Sequence, residues 1–139
     1  MDIAVKLSLL SSGIFLLFGM VSGVVKYQFI MTSQDSRAPV YIDIAHRASF
    51  LYSFAALVIA KLLEFSPYTR TVKLVICVIP LAFFALTITG YLITGLKNKT
   101  DNMFTTRNFI TTWFMYLLIV GEIGGMVLII LGFISTQFL

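Results

Sequence analysis

Residues 108–139 read NFITTWFMYLLIVGEIGGMVLIILGFISTQFL, and Glu122 is the only charged side chain among them. A helix needs about 20 mainly apolar residues to cross the hydrocarbon core of a bilayer, and this stretch is long enough. A soluble protein would have to cover such a helix on every side with other chain segments. We therefore expect a membrane-spanning helix over residues 107–137.

The rest of the chain cannot provide a polar shell for that helix. Of its 139 residues, 59% are hydrophobic and only 12% are charged. Two further runs, residues 7–25 and 74–96, contain no charged side chain. Each run has the length of a membrane span, so the sequence predicts helices over residues 5–26 and 72–96.

A shorter apolar run lies between Arg47 and Lys61. It spans a bilayer if its helix begins near residue 42 and the Lys61 ammonium reaches back to the interface along its alkyl stem. The sequence thus predicts a helix over residues 42–64. The fold class that follows is all-α, an integral membrane four-helix bundle that forms a single domain over residues 1–139.

The connections are short, and the longest is expected at residues 27–41. The formal net charge of +4 comes from Lys and Arg residues at helix ends and in loops, where membrane proteins usually carry them. The partner that this pattern indicates is the lipid bilayer, and the charge gives no indication of nucleic-acid binding.

Glycines recur at the four-residue spacing that lets two membrane helices approach closely. Gly19 and Gly23 have this spacing in the first helix, and Gly121 and Gly125 have it in the fourth. The pattern predicts helix–helix contact within the bundle. The same glycines are also able to form the interface of a homo-oligomer.

Glu122 is the strongest anomaly within the predicted spans, because an ionisable group in the membrane is costly without a partner. We expect its carboxyl group to be protonated or to pair with a buried donor. The candidates for that donor are His46, Tyr91 or a threonine of the third helix.

His46 is the only histidine, and it lies near the start of the second helix. Its helical face continues through Ser49, Phe50 and Ser53 to two alanines, and the mainly small and weakly polar character of this face leaves room for a flat ligand or for a close helix. His46 is therefore either an axial heme ligand, a proton-transfer group, or a hydrated interfacial histidine. Tyr91 belongs either to the aromatic belt or, with neighbouring threonines, to the bundle interior.

The pair Ala45-His46, followed by Tyr91 on the third helix, resembles the hydroxylaminobenzene mutase and styrene oxide isomerase group of small four-helix membrane enzymes. The resemblance implies a heme b between the protomers of a trimer, with His46 as the axial ligand. It also implies that the ferric iron acts as a Lewis acid on the substrate oxygen and that Tyr91 orients a small hydrophobic substrate.

One position departs from the pattern of that group, because Tyr52 stands where an asparagine is typical. Tyr52 does not share the helical face of His46, so it would meet only a cofactor that a neighbouring protomer holds. Because a phenol replaces the amide at this position, the resemblance does not determine whether the substrate is an epoxide. The candidate catalytic residues are Tyr91, Tyr52 and Glu122, and the candidate cofactor-binding residues are His46, Ser49 and Ser53.

The resulting hypothesis is a heme-dependent membrane isomerase or mutase in a bacterial cytoplasmic membrane. A non-catalytic small subunit of a membrane complex is the first alternative, in which the glycines pack against a partner. A small transporter or channel is the second alternative, with Glu122 and His46 along its path.

Overall fold

A computed structural model describes residues 1–138, and over these residues the chain is helical without a strand. The four main helices are α1 (Ile3–Thr32), α2 (Val40–Glu64), α3 (Arg70–Lys97) and α4 (Met115–Gln137), and a π-helical turn (Ile110–Phe114) leads directly into α4. All four are long and apolar enough to cross a membrane. The predicted fold class is confirmed, and the chain is a multi-pass integral membrane protein.

The helices end where side chains or turn conformations satisfy their backbone groups. The Asp2 carboxylate accepts a hydrogen bond from the Ala4 amide at 3.0 Å and caps the start of α1. At the other end of the bundle, Asn98 takes a left-handed conformation (φ 44°) and closes α3. Ser36 also has a positive φ of 54°, and it turns the chain between α1 and α2.

The predicted end of the first helix at residue 26 is wrong, because α1 continues to Thr32. A run of residues without charge indicates which part of a helix lies in the hydrocarbon core. The helix itself can continue beyond that core into the interface. The Lys26 side chain pairs there with Asp43 of α2 at 2.5 Å, so the charge does not end the helix.

The longest connection was also expected in the wrong place. The α1–α2 connection is only residues 33–39, whereas residues 98–109 between α3 and α4 form a longer one, here called loop 3. Asn108 and Thr111 exchange two hydrogen bonds of 2.9 Å between their side chains and backbone amides. This reciprocal cap starts the helix at Ile110 rather than at residue 107.

Helices α1 and α2 pack through small and weakly polar residues. The Ser53 hydroxyl donates to the Ser12 carbonyl at 2.8 Å, and the two serine hydroxyls are 3.4 Å apart. Ala56 and Ala60 continue this face of α2 into the buried core, which α3 completes with Cys77. Helix contact through small residues is the usual packing mode when lipid is the solvent.

Helix α4 lies at the edge of the bundle and uses its glycines for contact. A methyl group on Gly121 would come within 2.5 Å of the Phe83 ring, and one on Gly125 would come within 3.2 Å of the Pro80 ring. Gly19 and Gly23 pack in the same way against Phe50 and His46 of α2. The predicted glycine contacts are thus confirmed within the chain.

Replacement of Gly95 by alanine tests the closest approach of a glycine to the backbone of another helix. Its new methyl group would lie 2.6 Å from the backbone nitrogen of Ile42, which cannot move aside without shifting α2. We expect Gly95→Ala to lower the free energy of unfolding by about 1–3 kcal/mol. Denaturant unfolding in detergent micelles measures the change.

The matched control is Gly13→Ala, because open space surrounds that position. This variant should be neutral or stabilising, since alanine is the better helix former. Equal destabilisation by the two substitutions would contradict the packing described for α2 and α3.

Candidate functional site

A cavity of about 120 Å³ lies between α2, α3 and the start of α4, on the side of the bundle where loop 3 runs. Its polar lining consists of Tyr52, Thr87 and Tyr91, and apolar side chains form the remaining walls. An apolar protein cavity of about 150 Å³ holds one benzene molecule. The cavity is therefore of the size that accepts a molecule with a single ring.

Aromatic stacking fixes the two tyrosines of the cavity. The Tyr52 ring lies parallel to Phe84 of α3, with centroids 4.2 Å apart and an interplanar angle of 8°. Tyr91 stacks on Tyr41 of α2 at 5.8 Å. Of the two interpretations of Tyr91, the structure supports the bundle interior, since the residue lines the cavity rather than an outer belt.

Loop 3 covers the cavity through an apolar pair, Met103 and Phe104. The Met103 amide donates a 2.7 Å hydrogen bond to the Tyr41 hydroxyl, and the Phe104 amide donates to the Asn102 side chain at 2.9 Å. Tyr41 thus holds the loop with its hydroxyl and supports Tyr91 with its ring.

The π-helical turn supplies another wall of the cavity, through Ile110 and Phe114. The Phe114 amide donates to the Phe109 carbonyl at 3.0 Å, five residues back, which widens the turn. The Phe114 ring meets Phe83 of α3 at 5.7 Å. Single π-turns of this kind are frequent at functional sites.

Glu122 lies one helical turn beyond Leu118, which lines the cavity, and is not itself part of the lining. Its Oε1 atom is buried and has no hydrogen-bond partner among residues 1–138. None of the expected donors is therefore bonded to this oxygen.

Thr87 also has a buried oxygen, Oγ1, that lacks a hydrogen-bond partner in the described part of the chain. Thr87 is a neighbour of Tyr52 and lines the cavity. The described part of the chain thus leaves two buried side-chain oxygens without a partner, whereas most buried polar atoms in proteins are hydrogen bonded.

His46 lies on a different face of α2, against α1. Its Nδ1 atom is 2.8 Å from the Gly19 carbonyl oxygen, so Nδ1 carries a proton and donates it to that oxygen. A methyl group on Gly23 would lie 2.8 Å from Cε1 of the ring. His46 is not the partner of Glu122, and that expectation is wrong.

Ser49 and Ser53 also take part in the packing of α2 against α1. Ser49 donates to the Ala45 carbonyl at 2.6 Å, and Ser53 donates to the Ser12 carbonyl at 2.8 Å. Both serines are buried. The small face of α2 therefore accommodates a close helix, which is one of the two alternatives that the sequence left open.

Three charged side chains lie next to His46. The Asp43 carboxylate pairs with Lys26 at 2.5 Å and with Arg47 at 2.8 Å. Two cations and one anion leave this cluster with a positive charge. The cluster lies near the α1–α2 connection, where the side chains can reach the membrane interface.

The structure brings Tyr52 and Tyr91 together in the wall of the cavity and places Glu122 one helical turn beyond the lining residue Leu118. His46, Ser49 and Ser53 lie elsewhere. Among residues 1–138, no group of three or more His, Cys, Asp or Glu side chains could hold a bare metal ion. Comparisons with family models, curated proteins and solved structures give no match to this chain.

Removal of the Tyr41 hydroxyl tests the support of loop 3. We expect Tyr41→Phe to speed hydrogen exchange of the Met103 amide about 2- to 10-fold, because one hydrogen bond of ordinary strength is lost. Exchange mass spectrometry of the micelle-bound protein measures the rate.

Tyr27→Phe is the control for this experiment, since Tyr27 is 62% exposed on α1. It should leave exchange in loop 3 unchanged. An unaltered Met103 rate in Tyr41→Phe would show that the hydroxyl does not hold the loop.

Proposed function

We propose that this protein is a membrane-embedded isomerase or mutase that acts on a small hydrophobic substrate. The observation that carries the proposal is the apolar cavity whose polar lining consists of Tyr52, Thr87 and Tyr91, with Glu122 one helical turn beyond the lining residue Leu118. Pockets that combine apolar walls with a few convergent polar groups are typical of binding and catalytic sites.

The position of the cavity suits a substrate that arrives from lipid. Its outer wall is the start of α4, and only 17% of the most apolar window of that span is buried, against 33% in α2 and α3. A hydrophobic molecule that has partitioned into the bilayer therefore needs to pass only α4 or loop 3.

The chemistry of an intramolecular rearrangement matches the groups that the cavity offers. A heteroatom of the substrate is polarised by a hydroxyl donor such as Tyr91, and a proton removed from one atom is returned to another. Glu122, one helical turn beyond the lining residue Leu118, is the carboxyl group that would hold that proton between the two events. Water exclusion strengthens each of these interactions.

The resemblance to the heme-containing isomerases is part of the proposal, and His46 fits the role of an axial ligand. Ligating histidines commonly donate their other ring N–H to a backbone carbonyl, as His46 does to Gly19. The positive cluster of Lys26, Asp43 and Arg47 suits the carboxylates of a heme b. When bound, the ferric iron supplies Lewis acidity toward a substrate oxygen.

His46 and the cavity lie on different faces of α2, so a heme held by His46 would lie away from the cavity of the same chain and would need a second copy to bring it to a cavity. This supports a homo-oligomer, which the resemblance gives as a trimer. Ser49 and Ser53 would then act by holding α1 against α2 behind the ligand, rather than by contacting a cofactor.

The contacts within the chain give less support to a non-catalytic subunit and to a transporter or channel. The glycines that a partner subunit would use are already covered by α2 and α3 of the same chain. Glu122 and His46 lie on separate sides of α2, so they do not line one transport path. By resemblance, we place the protein in a bacterial cytoplasmic membrane.

An absorption spectrum combined with turnover tests the proposal. The purified protein should show a Soret band that His46→Ala removes and Tyr91→Phe retains. Tyr91→Phe should lower the rate of rearrangement of single-ring epoxides or hydroxylamines about 100-fold or more, because a positioned proton donor is lost. Product formation is followed by NMR without added redox cofactor.

Tyr27→Phe again serves as the control, since its ring lies at the lipid-facing surface of α1. It should keep both the band and the rate. A colourless protein that converts none of these substrates would refute the proposed function, and a colourless protein that converts them would refute only the heme.

A further inference from the structure

One wall of the cavity lacks a side chain at the point where α3 carries Gly90. We propose that Gly90 determines the size of the ligand, so that the cavity admits an uncharged single ring that rests against the backbone of α3. This inference rests on the proposed function for the existence of the binding site. It adds a specificity-determining residue and an upper limit on the size of the substrate.

Helix α3 contributes two pairs of residues to the cavity wall, one helical turn apart. Leu86 and Thr87 form the first pair, and Gly90 and Tyr91 form the second. Three of these four positions carry a side chain that occupies space, whereas Gly90 carries none. The wall of the cavity at Gly90 is therefore backbone.

The space in front of Gly90 is not used for helix packing. Among the described residues, its two chain neighbours aside, a methyl group placed on Gly90 would meet no other side chain and no other helix within 4 Å. A methyl group on Gly95 or Gly121 would instead come within 2.6 or 2.5 Å of a neighbour. Close contact between helices thus explains those two glycines and does not explain Gly90, where alanine would be the better helix former.

Open space alone does not give a glycine a role, because Gly13 and Gly124 have equally open surroundings. Neither of them lines the cavity, and Gly90 is the one glycine that does. A glycine allows the backbone to approach a ligand more closely than any other residue. Gly90 combines open space with a place in the cavity wall, which is the combination that ligand contact requires.

The other walls define the polarity of the ligand. Met103 and Phe104 of loop 3 and Ile110 and Phe114 of the π-helical turn are apolar, and no charged side chain lines the cavity. A charged ligand would lose its hydration here without gaining an ionic partner. The two phenylalanine rings favour an aromatic body.

The small volume of the cavity makes the residue at position 90 important for ligand size. The cavity holds about 120 Å³. Removal of one leucine side chain from a protein core leaves a cavity of about 150 Å³, which binds benzene. A leucine added at Gly90 should therefore fill the cavity, and a single added methyl group should exclude the larger of two similar rings.

The test uses methionines of the cavity as reporters, on the full chain in lipid nanodiscs, with benzene and toluene as probes. Met103 and Met115 line the cavity, so the NMR signals of their isotope-labelled methyl groups should shift when an aromatic ring binds there. Met20 and Met31 are 59% and 66% exposed on α1 and report the probe dissolved in lipid. We expect saturable shifts at Met103 and Met115 alone, and their absence would overturn the proposal.

Two substitutions at Gly90 test the size limit. Gly90→Ala should lower the affinity for toluene relative to benzene about fivefold or more, because the new methyl group takes the volume that the methyl group of toluene needs. Gly90→Leu should abolish the saturable shifts with both probes. A helical circular-dichroism spectrum and unaltered Met20 and Met31 signals establish that each variant is folded.

Gly13→Leu and Gly124→Leu are the matched controls, since both positions have open surroundings and lie outside the cavity wall. Both variants should keep the affinities of the unmodified chain. Unchanged binding in Gly90→Ala and Gly90→Leu, or an equal loss of binding in the two controls, would overturn the role of Gly90.

Turnover measurements separate this inference from the proposed function. Rearrangement of single-ring substrates by Gly90→Leu at the rate of the unmodified chain would overturn the inference and leave the isomerase intact. Saturable binding of benzene that Gly90→Leu abolishes, without turnover in the unmodified chain, would refute the isomerase and leave the size limit intact. Absence of both binding and turnover in the unmodified chain would overturn both.

Discussion

Every feature of this protein depends on the constraint that lipid offers no hydrogen bonds to the chain. Helices satisfy the backbone internally, and side-chain hydroxyls of α1 and α2 bond to nearby carbonyls, as Ser8, Ser22 and Ser49 do. Helix contact then relies on close approach rather than on burial from water, which explains the glycines at the contact faces. Against this background, the unpaired oxygens of Thr87 and Glu122 are exceptions, and exceptions to local consistency concentrate at functional sites.

The sequence was sufficient to predict the fold because charge is excluded from the hydrocarbon core. Charge-free runs predicted the four helices, and the glycine spacing predicted which faces meet. Helix ends were less predictable, because a helix continues into the interface wherever a charge can reach water or a partner. Lys26 pairs with Asp43, so α1 extends beyond it. The late start of the last helix depends on side-chain caps at Asn108 and Thr111 that charge patterns do not encode.

The site was predicted in part. Tyr52, Tyr91 and Glu122 stood out as polar groups within spans, and the fold brings the two tyrosines to one cavity. The sequence did not indicate Tyr41 or the cover formed by Met103 and Phe104, because the tether between them joins distant parts of the chain. The signal in the sequence that could have indicated this cover was the apolar pair of Met103 and Phe104 within an otherwise polar loop. His46 shares a span with Tyr52, but helical rotation separates them, and the role of His46 as a heme ligand stays a prediction.

Helix α4 is only slightly buried in the bundle, so its tilt can respond to the thickness of the membrane. Most of this helix faces acyl chains, and its contacts with α3 run along a narrow line of glycines. A bilayer of different thickness changes the tilt of a helix held in this way, at a cost of only fractions of a kcal/mol per ångström. Because residues of α4 also line the cavity, a change in the tilt of this helix would change the width of the cavity.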